Sequence, residues 1–204
     1  MGLVLRLNLF HDVEAADVYG ALTAFYKKCG ASLVEEQGKE RHYQLHQRQG
    51  RWCVLEWDRG WEWQTRRAAQ LFVSSRLYTA GLLIFVYDGD YWGYEFFDHG
   101  EVLDHFVQEA NGEPIGFPGE DCRGNPRVVA ERLPFLRAED IEPYLVQKRD
   151  WVIPEGMDVP ARPGDDFRRF DECAVLDFLR MLGVPTEIRD HYVRLKAPLF
   201  RSVE

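Results

Sequence analysis

Leu3, Leu5, Leu7 and Leu9 alternate with Val4, Arg6 and Asn8, the period-two spacing of a strand with one face in a core. Asp12 then stands where a helix N-cap belongs. Val18, Leu22, Phe25 and Cys29 recur on one helical face behind it, and Gly30 suits the C-cap, so a helix is expected to about Cys29. Strand patterns return over about 31–37, 41–47 and 51–57, the first two separated by Gly38-Lys39. After Asp58-Arg59-Gly60 a helix is expected from about Trp61 to Leu77. Gly81 to Phe97 then reads as two strands joined at Asp88-Gly89, a pair that tolerates the positive φ of a two-residue hairpin loop. The first arm, Leu82 to Tyr87, is apolar throughout, which places it centrally with both faces covered. The second, Tyr91 to Phe97, is aromatic apart from Gly93 and Glu95. A glycine inside a strand marks a bulge or the close approach of backbone or ligand.

Segments 3–47 and 51–97 share one order, strand, helix, strand, strand, without repeating residue identities. That pattern points to a duplicated βαββ unit. Beyond it, Val102, Leu103, Phe106 and Val107 have the spacing of a short amphipathic helix stopped by Asn111-Gly112. Residues 111–126 are crowded with Gly and Pro, as a long ordered loop or lid would be. Asn125-Pro126 opens a helix through about Leu133, since Pro at the first helical position lacks an N–H the helix does not need. Further helices are expected at about 138–147 and 171–182, with a linker over 153–166 and a strand or extended tail from His191 to Lys196. The expected fold class is α/β of the α+β type. A mostly antiparallel curved sheet from two βαββ units, with helices on one face, fills residues 1–110. A loop-rich, mainly helical C-terminal extension, 111–204, packs on the same domain.

Composition adds exclusions. A chain of 204 residues, 46% hydrophobic and 29% charged, can build its core without metal or disulfides. No apolar run approaches the ~20 residues of a membrane span, and the alternating start is unlike a signal peptide. Cys29, Cys53, Cys122 and Cys173 are scattered, as reduced thiols of a cytoplasmic protein would be. The formal charge of −9 opposes nucleic-acid binding. The imbalance is local. No Lys or Arg lies between Arg76 and Arg123, an interval that holds Asp88, Asp90, Glu95, Asp98, Glu101, Asp104, Glu109, Glu113, Glu120 and Asp121. Such a one-sign stretch steers cations or basic partners.

Motif chemistry is sparse: the chain has no Gly-rich phosphate loop, His-Glu-x-x-His, Cys-x-x-Cys or Gly-x-Ser-x-Gly. The Asp-His pairs 98–99, 104–105 and 190–191 lack the spacing of a metal site. No catalytic residue, metal or cofactor is therefore expected, and an enzyme built on Asp104 and His105 ranks third. The densest feature is Trp57-Asp-Arg-Gly-Trp61-Glu-Trp63. With Tyr91, Trp92 and Tyr94 these rings would wall a groove, and Glu56 or Glu95 would supply its carboxylate. The leading expectation is a non-enzymatic cytoplasmic protein binding an apolar or cationic small molecule there. The alternative is an acidic interaction protein, inhibitor- or immunity-like, that docks a basic partner through 88–121 with Glu101 and Asp104 in contact. Ordinary packing of the tryptophans, with both glutamates facing solvent, is the plain competitor.

Overall fold

The computed structural model describes residues 5–35, 43–57, 63–87, 90–109, 122–148, 152–153, 155–184 and the backbone of 192–196. In chain order these form β1 (Arg6–His11), α1 (Ala15–Lys28), β2 (Val34–Glu35), β3 (Tyr43–His46), β4 (Trp52–Trp57) and α2 (Trp63–Leu77). Then come β5 (Ala80–Tyr87), β6 (Tyr91–Asp98), β7 (Glu101–Val107), α3 (Pro126–Arg132), α4 (Ala138–Ile141), α5 (Ala174–Met181) and β8 (Tyr192–Lys196). The strands make one open antiparallel sheet in the order β2-β8-β3-β4-β1-β5-β6-β7, and the class is α+β.

Strand alternation assigns each face a different cover. Phe10, Cys53, Leu55, Trp57 and Phe97 pack under α1 and α2 with Val18, Leu22, Ala69 and Val73. Leu7, Leu9, Trp52, Val54, Leu82, Ile84, Trp92, Tyr94 and Phe96 point the other way, onto Val129, Leu133, Tyr144, Val175 and Phe178 of the C-terminal segment. Trp52 Nε1 fastens that segment by donating to the Leu182 carbonyl at 2.8 Å. β5 is covered on both faces, as its unbroken apolar run requires.

Several elements differ from the pattern reading. Residues 101–107 form β7, not a helix. His99 and Gly100 both take positive φ (50° and 88°), which closes a tight turn and sends the chain back along β6. A bulge opposite Phe96/Phe97 then inserts Leu103 as an extra residue, and this breaks the period-two spacing into one that imitates a helix. The N-cap of α1 is Glu14, not Asp12, whose carboxylate instead receives Arg48 Nη2 at 2.6 Å. α4 ends at Ile141 and passes through a 3₁₀ turn, Glu142–Tyr144, where Pro143 has no N–H to continue the helix. Asn125 caps α3 as expected, accepting from Arg127 N at 3.2 Å. The Asp88-Gly89 turn, Trp61 and the loop 110–121 lie outside the described residues.

Candidate functional site

The sheet divides the expected groove. Trp57 packs beneath α1 and α2, Tyr91 shares a cluster with Trp63 of α2, and Glu95 meets Arg67 of α2, whereas Trp92 and Tyr94 project toward α5. Glu56 is half-exposed, with His46 Nε2 at 3.6 Å. The cause is geometric: successive strand residues face opposite sides, so Tyr91, Gly93 and Glu95 cannot share a hollow with Trp92 and Tyr94. The rings interlock where they stand. Trp57 meets Tyr43 edge-on at 4.7 Å, Trp63 meets Phe85 at 5.2 Å, Trp92 lies 5.1 Å from Phe178, and Tyr94 stacks on Phe178 at 5.9 Å. Gly93 admits the Phe85 ring rather than a ligand, since an added Cβ would come within 2.6 Å of Phe85 Cζ. Glu95 is fully buried and receives Arg67 Nε at 2.8 Å.

Of the described acidic residues in the interval, Glu95, Asp98 and Glu109 are buried and Asp104 is half-buried. Cations from outside it reach Glu95 (Arg67, 2.8 Å) and Asp98 (Arg132, 3.7 Å). Lys148 lies beside Glu109, whose charge partly offsets the burial that lowers the lysine pKa. Asp104 accepts from Tyr94 Oη at 2.7 Å and from the Asn125 N–H at 2.9 Å. Burial raises the Asp104 pKa, and these two hydrogen bonds work against the rise. Its carboxylate therefore braces the β7–α3 junction. Gly124 completes that junction with φ 76°, packed so closely that a Cβ would meet Tyr94 Oη at 3.1 Å. Asp90 and, on β7, Glu101 are the exposed acidic residues among those described in the interval.

A different place gathers unusual features. A cleft of about 480 Å³ opens at the end of the sheet where β1 finishes, β5 begins and β6 turns. Its lining includes Asp12, Tyr78 and His99, and these are the described non-glycine residues with positive φ (51°, 51° and 50°). Asp and His visit this region more readily than most residues, but a bulky aromatic there is a genuine outlier. Tyr78 directly follows α2, and the Thr79 N–H bonds back to the Ser74 carbonyl at 3.1 Å. This is the Schellman arrangement, whose left-handed residue is usually glycine. Here it is a tyrosine left 79% exposed, its ring 5.3 Å from that of His99.

Around those rings the cleft carries three carboxylates, Asp12, Asp98 and Glu131, against Arg132 in the lining and Arg48, which pairs with Asp12 from outside it, so one negative charge remains over. Asp98 lies in the floor at 9% exposure, with His99 Nε2 at 3.6 Å and Arg132 Nε at 3.7 Å, both too long for direct hydrogen bonds. His11 closes the inner wall, stacked on Phe135 at 5.2 Å. Burial holds its pKa below 6.5 against the pull of Asp12, which leaves it neutral at neutral pH. At neutral pH the site is thus a negative, aromatic-lipped recess. Pattern reading passed over Tyr78, Arg132 and His11; the available signal was the run Leu77-Tyr78-Thr79, which ends a helix without the customary glycine.

The chain matches no family model, no curated protein and no solved structure. Among the described residues no helix is long and apolar enough to cross a membrane. Asp171, Glu172 and Cys173 can bring ligand atoms within 4.8 Å of one another. They are consecutive residues at the start of α5, however, and Asp171 Oδ1 is already engaged by the Cys173 N–H at 2.8 Å. Burial and the adjoining carboxylates push the Cys173 thiol up to about 11, away from the thiolate a metal prefers.

Proposed function

We propose that this is a non-enzymatic, cytoplasmic interaction protein that docks a basic partner protein through the recess between Tyr78, His99 and Asp98. The observation that carries this is the exposed tyrosine held in a left-handed conformation, because a fold has no use for such a residue at a helix end where glycine fits better. Exposed tyrosines beside desolvated charge are the usual anchors of protein interfaces. An arginine or lysine of the partner would lay its charge over the Tyr78 ring and toward the Asp98 carboxylate. The docking face expected over 88–121 is kept, but its centre moves from Asp104 to Asp98, with Glu101 opposite Asp98 in register on β7. The aromatic groove for a small molecule is set aside, since its described rings pack on opposite faces of the sheet. We read the scaffold as two βαββ units with a C-terminal extension on the same domain, supported by the orders β1-α1-β2-β3 and β4-α2-β5-β6 and by the packing of α3 and α5 on the sheet.

A short peptide of alternating arginine and glycine serves as probe. Its association rate should fall steeply with added salt, and Glu101→Lys should lower the rate roughly fivefold at low salt without altering stability. An unchanged rate in Glu101→Lys would count against docking on this face. Asp104→Lys is unsuited to the purpose, because it would break the Tyr94 and Asn125 contacts.

A further inference from the structure

α2 turns a polar stripe toward the sheet. Arg66, Gln70 and Ser74 recur every four residues on that face and are 5%, 0% and 0% exposed. Ser74 is satisfied, donating to the Thr79 carbonyl at 2.6 Å and accepting from Gly100 N at 3.0 Å. Gln70 is satisfied at one end only, where its Oε1 accepts from Asn8 Nδ2 at 2.9 Å. The donors that remain, Gln70 Nε2 and Arg66 Nε and Nη1, are buried and have no hydrogen-bond acceptor among the described residues. The Trp63 ring covers the guanidinium at 5.4 Å. Burial, followed by the like charge of Arg6, brings the Arg66 pKa down to about 10, so the group stays protonated at neutral pH. Arg6 lies two residues before Asn8 on β1 and therefore on the same face of the sheet.

Burying a guanidinium without a counter-charge is among the costliest arrangements in a protein, and a second cation beside it adds to the cost. Orphan donors one helical turn apart have the chemistry of a receptor for an oxyanion. We propose that the interface between α2 and β1 is a binding site for a carboxylate or phosphate group, received by Arg66 and Gln70. The site lies at the end of β1 opposite the Tyr78 recess, so the two are independent.

The test holds ionic strength constant with sodium chloride and titrates the full chain with inorganic phosphate and, separately, with acetate, following the thermal midpoint. A saturable rise is expected with at least one of them, and Arg66→Met should weaken the apparent affinity by roughly tenfold or more. A response to phosphate alone assigns a phosphoryl guest, to acetate alone a carboxylate, and to both the shared oxyanion. Absence of any saturable rise in the wild type, or an equal rise in Arg66→Met, overturns the proposal. Should Arg66→Met fail to fold, Gln70→Leu replaces it: weakened binding supports the site, and unchanged binding overturns it.

Discussion

Arg67→Met should lower the unfolding free energy by about 3 kcal/mol, because it removes the guanidinium that donates to the buried Glu95 carboxylate. Glu95 is fully buried, in the cross-strand row Asn8-Leu83-Glu95-His105 beneath α2. Arg67 reaches it from the helix at 2.8 Å, with the arginine side chain still 31% exposed. Attraction in such a pair roughly offsets desolvation while both partners are present, so deleting one is far worse than deleting both. Combining Arg67→Met with Glu95→Leu should therefore recover most of the loss. Urea unfolding of the two single variants and the double variant reads this directly. A single variant within about 0.5 kcal/mol of wild type would show that Glu95 does not depend on Arg67.

Tyr78→Gly should move stability and binding in opposite directions. Glycine removes the strain of an aromatic residue at φ 51° and keeps the Thr79–Ser74 hydrogen bond, so a gain of about 1 kcal/mol is expected. In a chain of this size that raises the thermal midpoint by about 2–4 °C. Loss of the exposed ring should weaken the arginine-containing probe by roughly 30-fold, the scale of a hot-spot truncation. Stability and recognition trade against each other at sites kept for function. A purely structural tyrosine would instead cost stability on removal and leave probe binding unchanged.

The scaffold was legible wherever spacing reports a one-sided burden. Leu7 and Leu9 on β1, the apolar run of β5 and the Asn125-Pro126 helix start all carry their structure in local sequence. β7 was not legible, because a bulge around Leu103 erased its alternation and only pairing with β6 restores it. The aromatic residues were recognised as a cluster, but identity and spacing do not say which face of a strand a ring takes once both faces are buried. Tyr91 and Trp92 are neighbours in sequence and lie in different cores for that reason. The acidic interval misled in a related way. Cations from distant segments, Arg67, Arg132 and Lys148, reach Glu95, Asp98 and Glu109 once the chain is folded, so part of the one-sign stretch is offset in a way local sequence does not show. Tyr78 escaped notice because its meaning lies in a φ angle.

A direct measurement of docking is an amide chemical-shift titration of the ¹⁵N-labelled chain with acetyl-arginine amide. The largest saturable shifts should fall on Tyr78, Thr79, His99 and Gly100 and vanish in Asp98→Asn. Shifts spread evenly over exposed carboxylates, or centred on Asn125 at the β7–α3 junction, would contradict recognition at the end of the sheet.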